Sequence, residues 1–325
     1  MEALSVICAT FFSGWLAPKI VRMAKEKSLM DVANERSSHT TPTPRGGGIG
    51  IVLTVLLVSA ALHGLGTFPQ QTFLLVSLGL GLVIAALGYL DDRHNLPARL
   101  RLLIQLVCIG TALVFLPKIT PDFVPVWAEK VFLLLAWTWF VNLYNFMDGL
   151  DGLATVQAIF IGLGVVILSP VLAPLALVYI GACMGFLRTN WPPAKIFMGD
   201  VGSTFLGFYG AALLLATLAN APSLPLFCSL ITVPMLFVAD ATYTLFKRLF
   251  QGKLPWVAHR EHWYQRAHLM GMRHNQVLWR AILLYTTLLG VAVGGYITQS
   301  TGLTVLAGLL PLLYAARRIV YLEGK

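Results

Sequence analysis

The sequence predicts an all-α, polytopic integral membrane bundle, and three features point there. Apolar residues make up 57% of the 325-residue chain, charged ones only 11%, and the apolar residues run in long blocks. No stretch alternates polar with apolar residues at period two, the pattern of a membrane-spanning strand. The basic residues fall almost entirely in alternate loops, as the positive-inside rule requires of a multi-pass protein. Helices follow from the solvent, because hydrocarbon offers the backbone no partner and each segment must pair its own N–H and C=O groups.

A span needs about 20 predominantly apolar residues, since ~30 Å of hydrocarbon is crossed at ~1.5 Å per helical residue. Eleven segments are read as transmembrane helices, near 3–21, 46–63, 72–90, 101–117, 127–145, 153–169, 171–187, 202–220, 224–246, 277–297 and 302–316. Only Glu2 precedes the first, while Lys19, Arg22, Lys25 and Lys27 follow it, which predicts an uncleaved anchor with its N-terminus outside. An odd count then puts the C-terminus in the cytoplasm. The inner loops become about 22–45, 91–100, 146–152, 188–201 and 247–276, and of 23 Lys and Arg only Lys118 and Lys130 fall in outer loops. This topology, with anionic lipid, accounts for the net charge of +9, so no nucleic-acid partner is expected. Cys8, Cys108, Cys183 and Cys228 lie within the predicted helices without metal-like spacing and read as small core residues, with no disulfide expected. No internal repeat is present, and residues 1–325 read as a single transmembrane domain.

The acids gather on the predicted inner face, leaving only Glu2, Asp122 and Glu129 outside. In LGYLDDRHNLPARLRLLIQL, Asp91 and Asp92 end a helix and Arg93, Arg99 and Arg101 follow; alone, this pattern also suits a solvated helix end with charge pairs. In FVNLYNFMDGLDGLA, Asn142 and Asn145 lie three apart, as do Asp148 and Asp151, and Gly149 and Gly152 follow the acids. A continuing helix would put both amides on one face, and the glycines allow backbone conformations and ligand approach that a Cβ forbids. In WPPAKIFMGDVGSTFLG, Pro192 and Pro193 end one helix and Asp200 starts the next, either as a cap or at an N-terminus open to phosphate oxygens.

The longest inner loop, AHREHWYQRAHLMGMRH, mixes His259, His262, His268 and His274 with Arg260, Arg266 and Arg273. Arginine opposes a cation but suits diphosphate, so zinc is not expected here. RSSHTTPTPRGGG adds Arg36, His39 and Arg45 ahead of three glycines. Asp240 lies inside the ninth segment, where an ionisable group faces the bundle interior and has a partner. Its role is left open. Inner-face carboxylates together with phosphate-gripping cations suit a divalent ion such as Mg²⁺, which takes one or two carboxylates plus substrate phosphates and water.

In this order, PTPRGGG, the DD pair, NxxNxxDGxDGLA, FMGDVGS and a His-rich last inner loop, the chain resembles the polyprenyl-phosphate N-acetylhexosamine-1-phosphate transferases, glycosyltransferase family 4, over about residues 31–270. The resemblance implies an enzyme of the bacterial inner membrane that reacts a UDP-N-acetylhexosamine with undecaprenyl phosphate at the cytoplasmic face. It gives sugar-diphosphate-undecaprenol and UMP, with Mg²⁺, or Mn²⁺ in its place. Carried over by motif, Asp200 binds the metal with Asn145 nearby, and Phe197 stacks on uracil. Asp148 and Asp151 hold the nucleotide or a polar network, Asp91 assists the attacking lipid phosphate and Asp92 supports it. His262 contacts the diphosphate, while Arg45, Asn142, Arg101, Arg260 and Arg266 line the substrate.

Two imidazoles expected of such loops are missing, since the chain reads His262-Trp263-Tyr264-Gln265, and Tyr264→His is expected to be tolerated. The pattern most resembles members that start O-antigen or similar surface glycans, where the sugar is N-acetylglucosamine or a 6-deoxy N-acetylhexosamine. A phospho-N-acetylmuramoyl-pentapeptide transferase-like step is the alternative, and the bilayer is a partner in either case; a homodimer is left open. A transporter would line its path with mid-membrane acids, whereas here all the inner acids except Asp240 cluster at one face.

Overall fold

The computed structural model describes residues 2–26, 30–31, 42–66, 72–254 and 259–323. Arg36 and His39 lie outside them. Thirteen α-helices occur among the described residues: α1 (Glu2–Glu26), α2 (Gly48–Gly64), α3 (Thr72–His94), α4 (Ala98–Val114), α5 (Val126–Phe146), α6 (Leu153–Leu168), α7 (Ala173–Asn190), α8 (Asp200–Asn220), α9 (Leu224–Thr232), α10 (Met235–Phe250), α11 (Trp263–Leu269), α12 (His274–Ile297) and α13 (Thr301–Glu323). Two short strands, β1 (Met30–Asp31) and β2 (Thr43–Pro44), pair antiparallel ahead of α2.

The chain is an all-α membrane protein. Each of the eleven predicted segments coincides with helix, but length and composition qualify fewer of them as spans. Among the described residues six helices are long and apolar enough to cross a bilayer, or seven if a bent pair counts as one. Gly48–Gly64, Leu153–Leu168 and Thr301–Arg317 are apolar but shorter. A 17-residue helix such as α2 is only about 26 Å long at 1.5 Å per residue. Large apolar side chains such as Phe11, Val114, Leu135, Leu283 and Leu306 stand exposed around the bundle, as on a surface that faces lipid. Cys108 and Cys183 are buried as small core residues, whereas Cys8 is exposed.

The predicted segment 224–246 is not one straight helix. It is α9 and α10, bent 72° at Val233 and Pro234. Proline has no N–H to give the carbonyl one turn back, that of Leu230, and at the break the Phe237 N–H goes to Pro234 O at 3.0 Å while the Val233 carbonyl accepts from Gln157 Nε2 at 3.5 Å. The bend sends α10 off at an angle, which matters for the site.

At the centre stands α8, with 89% of its apolar window buried. It is surrounded by α2, α3, α5 and α6, while α1 lies along α7 and α12 packs against α6, α9 and α13. Trp137 on α5 stacks on Phe208 of α8, centroids 4.9 Å apart, and donates its indole N–H to the Phe208 carbonyl at 3.1 Å. Enclosing α8 this way delivers the ends of α3 and α5 and the start of α2 to its N-terminus.

At the opposite end of α5, Glu129 is buried, and its Oε2 accepts from the N–H groups of Ile119 and Thr120 and from the Thr120 hydroxyl at 3.0, 2.8 and 2.6 Å. This acid pins the α4–α5 connection and lies outside the acid cluster. Glu129→Ala strands those donors and should cost about 2 kcal/mol of stability. Thermal unfolding in detergent measures it, and an unchanged melting temperature would show that the connection holds itself.

Candidate active site

The N-terminus of α8 is where the acids meet. Gly199 precedes it at φ +74°, and a Cβ there would sit 2.6 Å from Asp92 Oδ2, so only glycine permits the approach. Asp92, in the last turn of α3, accepts from the N–H of Asp200 at 3.0 Å and of Val201 at 3.3 Å, capping α8 from another helix. Arg45 Nε lies 3.3 Å from Asp92 Oδ1. The sequence reading offered these N–H groups to phosphate oxygens or to a cap by Asp200; the structure gives both to Asp92. Asp200 becomes the first residue of the helix, and its carboxyl is left 24% exposed.

Arg101, in the first turns of α4, is ion-paired with Asp91 and lies 3.6 Å from Asp200 Oδ2. Asp91 also accepts from the Leu96 N–H at 2.7 Å, which closes the α3–α4 turn. Asn145, at the end of α5, donates to Ser203 Oγ at 3.0 Å and also hydrogen-bonds the Asp200 carboxyl. In the turn after α5, burial first and then the charges of Asp200 and Asp92 push the Asp148 carboxyl well above its ordinary 3.8, against the pull of Arg45. Asp91, Asp92, Asp148, Asp200, Asn145, Arg45 and Arg101 therefore form one constellation.

Other predicted residues sit beside it. Asp151 accepts from the Ala194 N–H at 3.1 Å and pairs with His274 Nδ1 at 3.0 Å, tying the turn to the Pro192–Pro193 segment and to α12. Asn142 faces α4, donating to Gln105 Oε1 at 2.7 Å and to the Thr138 carbonyl at 2.8 Å. Phe197 is half-buried, and its backbone clamps the glycine-rich segment, donating to Pro44 O at 2.8 Å and accepting from Gly47 N at 2.9 Å. Arg260 and Arg266 are half-buried on the last loop.

His262 is buried, not open to solvent. Its Nδ1 lies 3.3 Å from Asp240 Oδ1, and its ring stacks on Tyr264. Tyr264 donates its hydroxyl to Phe146 O at 3.0 Å and occupies the space a Cβ on Gly149 would need. That glycine makes room for Tyr264, whereas the sequence reading kept the space for a ligand. Tyr264→His, a change expected from the sequence to be tolerated, would remove this brace between the last loop and the Asp148 turn. Gly152 does adopt the positive φ expected, +76°. Sequence reasoning also missed Ser203 and Gln105, whose only signal was an uncharged polar side chain inside an apolar helix.

Among the described residues no three His, Cys, Asp or Glu side chains are set to hold a metal ion by themselves. Mg²⁺ needs only one or two carboxylates, since it keeps water and substrate phosphates in its shell. The partly exposed Asp200 carboxyl beside Asn145, among like charges, fits such a donor set.

Comparison with known proteins identifies the family. A family model described as glycosyl transferase family 4 matches residues 74–218, which run from α3 to the end of α8. The chain is 30% identical over 276 residues to the "Probable undecaprenyl-phosphate N-acetylglucosaminyl 1-phosphate transferase" of Bacillus subtilis, covering 80% of this chain and 75% of that one. It is likewise 30% identical over 336 residues to the decaprenyl-phosphate N-acetylglucosaminephosphotransferase of Mycolicibacterium smegmatis, covering 90% and 79%. A phospho-N-acetylmuramoyl-pentapeptide-transferase of Deinococcus radiodurans is 33% identical over 197 residues, covering 52% and 60%. The chain belongs to glycosyl transferase family 4 and is a multi-pass phosphoglycosyl transferase of the membrane.

The raised Asp148 carboxyl gives a test without substrate. Folding favours its protonated form, so its contribution to stability is full below pH 3.8 and is lost as pH rises through the folded value. In chelator, the melting temperature of Asp148→Asn relative to wild type should therefore climb as pH rises above 3.8. A difference that stays flat, or falls, contradicts the buried, charge-crowded setting of Asp148.

Proposed function

We propose that this enzyme transfers an N-acetylhexosamine-1-phosphate from a UDP-sugar to undecaprenyl phosphate, releasing UMP, as the first step of O-antigen or a related surface glycan. The observation that carries the reading is the convergence of Arg45, Asp91, Asp92, Arg101, Asn145, Asp148 and Asp200 from five separate stretches of chain at one end of α8. The activities named for the relatives from Bacillus and Mycolicibacterium, N-acetylglucosaminyl-phosphate transfer to polyprenyl phosphates, support the substrate class. The one-sided positive charge supports eleven spans with the N-terminus outside and this end of α8 at the cytoplasmic face of the inner membrane.

In this reading the lipid phosphate oxygen attacks the β-phosphorus of the UDP-sugar, and the bond to the α-phosphate oxygen breaks as UMP leaves. Both reactants are anions, so the protein's task is positioning and charge neutralisation. A phosphate monoester is already largely dianionic near pH 7, with a second pKa of about 6. Asp91 therefore orients the attacking group through Arg101 and need not deprotonate it. Asp200, with Asn145 beside it, would hold Mg²⁺, which when bound offsets charge on the transferring phosphoryl group. Arg260 and Arg266 would grip the diphosphate, as guanidinium groups can bidentately. Asp148, Asp151 and Phe197 would line the nucleotide.

UMP release from a panel of UDP-sugars with undecaprenyl phosphate tests the proposal. One UDP-N-acetylhexosamine should turn over with Mg²⁺ or Mn²⁺, and Asp200→Asn should lose at least about 100-fold in rate, near 2.7 kcal/mol, while remaining membrane-inserted. Full turnover in excess EDTA would remove the metal from the proposal, and full turnover by Asp200→Asn would remove that residue.

A further inference from the structure

Beyond its bend, α10 carries a polar stripe that no part of the transfer reading uses. Asp240, Thr244 and Arg248 recur every four residues and so share one face, and all three are buried. Asp240 is saturated with partners. Its Oδ1 accepts from the Trp263 N–H at 2.9 Å and the Thr244 hydroxyl at 3.2 Å and lies 3.3 Å from His262 Nδ1; its Oδ2 accepts from the Tyr264 N–H at 3.4 Å. Two turns on, Arg248 pairs with Glu261 and donates to Leu254 O at 3.4 Å, and Lys253 Nζ reaches the same glutamate at 3.1 Å. The stripe thus grips residues 261–264 at successive positions, and Tyr264 passes the grip on to Phe146, two residues before Asp148.

We infer that Asp240 is a positioning residue for the transfer reaction: it fixes the ring of His262 and the first turn of α11 against the Asp148 turn, and touches no substrate itself. The inference rests on the phosphoglycosyl transfer reading and on His262 acting in it. A carboxylate is required because this position accepts from two backbone N–H groups, a hydroxyl and an imidazole N–H at once. An amide would keep one acceptor oxygen and turn an NH₂ toward donors. Holding the ring Nδ1 leaves Nε2 free to face the reactants, the division of labour common where a carboxylate orients a histidine. The bend at Pro234 serves this end, since it angles α10 away from the line of α9.

The test uses the full-length protein in detergent with undecaprenyl phosphate and its best UDP-sugar. Asp240→Asn should lower kcat at least about 10-fold while KM for the UDP-sugar stays within about threefold, because a misaligned ring affects the transition state more than binding. His262→Ala should do the same, and the double variant should fall no more than about threefold below the weaker single one, since both remove one unit. Thr244→Val, which deletes one donor and keeps the carboxylate, should cost less than Asp240→Asn and stands in for it if that variant fails to fold. A kcat within about twofold of wild type in Asp240→Asn, or in Thr244→Val where only that variant folds, or effects that multiply in the double variant, would overturn the inference.

A second readout separates this inference from the reaction it rests on. Tryptic cleavage after Arg260 in the substrate-free protein should be at least about fivefold faster in Asp240→Asn, at unchanged overall melting temperature, because local opening is released without global unfolding. If wild type turned over no UDP-sugar but the cleavage contrast held, the transfer reading would fail and the bracing by Asp240 would stand. Equal cleavage rates would overturn the bracing.

Discussion

The hold of the Asp92 carboxylate on the first N–H groups of α8 is the interaction on which the rest of the site depends. A helix starts with N–H groups that have no intrahelical partner and with a partial positive charge. Buried as α8 is, those groups must be satisfied by protein. Its own N-cap position is Gly199, which has no side chain to offer, so the cap comes from α3. One carboxylate thereby fixes α3 against α8, draws Arg45 in from the glycine-rich segment, and sets Asp91 beside Arg101. Asp200 has no capping to do, and its carboxyl stays partly exposed.

The cost of that arrangement is crowding of like charge. Asp91, Asp92, Asp148 and Asp200 share a small space with Arg45 and Arg101, and the Asp148 carboxyl is raised first by its burial and then by the charges of Asp200 and Asp92. In the proposed reaction a cation would offset this crowding, and the arginines would meet the phosphates that accompany it. Its acids are also anchored in ways a simple ion path would not need: Asp91 closes a turn, Asp92 caps a helix and Asp151 ties three segments together. Rigid placement of this kind favours chemistry in which catalysis is mostly positioning and electrostatics.

Much of this was legible in the sequence, because its signals are local. Apolar blocks mark every helix except α11, which falls in the predicted loop 247–276, and acids next to glycines or prolines at helix ends mark the cluster; the nearness of Asn145 to Asp200 came from the family resemblance. What stayed hidden depends on contacts between distant segments. The 72° bend needed Pro234 to be read against Gln157, 77 positions earlier, since proline alone is compatible with a kinked single span. Asn142 and Asn145 lie three apart, yet one reaches Gln105 and the other Asp200, a split set by which helix packs on each flank. The sequence could assign Asp240 a buried partner but could not name it, because His262 lies beyond a turn and a loop of no regular period. Eleven apolar segments likewise do not make eleven full-length spans, as the short α2 and α6 require the surrounding bundle to decide how deep they sit.

The most direct test of the account follows the β-phosphorus. Its central claim is that the lipid phosphate attacks that atom and that a sugar-1-phosphate moves as a unit. With UDP-N-acetylhexosamine labelled only at the β-phosphorus and undecaprenyl phosphate as acceptor, the purified enzyme should carry the label into the lipid product and release unlabelled UMP in equal amount. Label retained in a released nucleotide, as in transfer of the sugar alone with loss of UDP, would contradict the account.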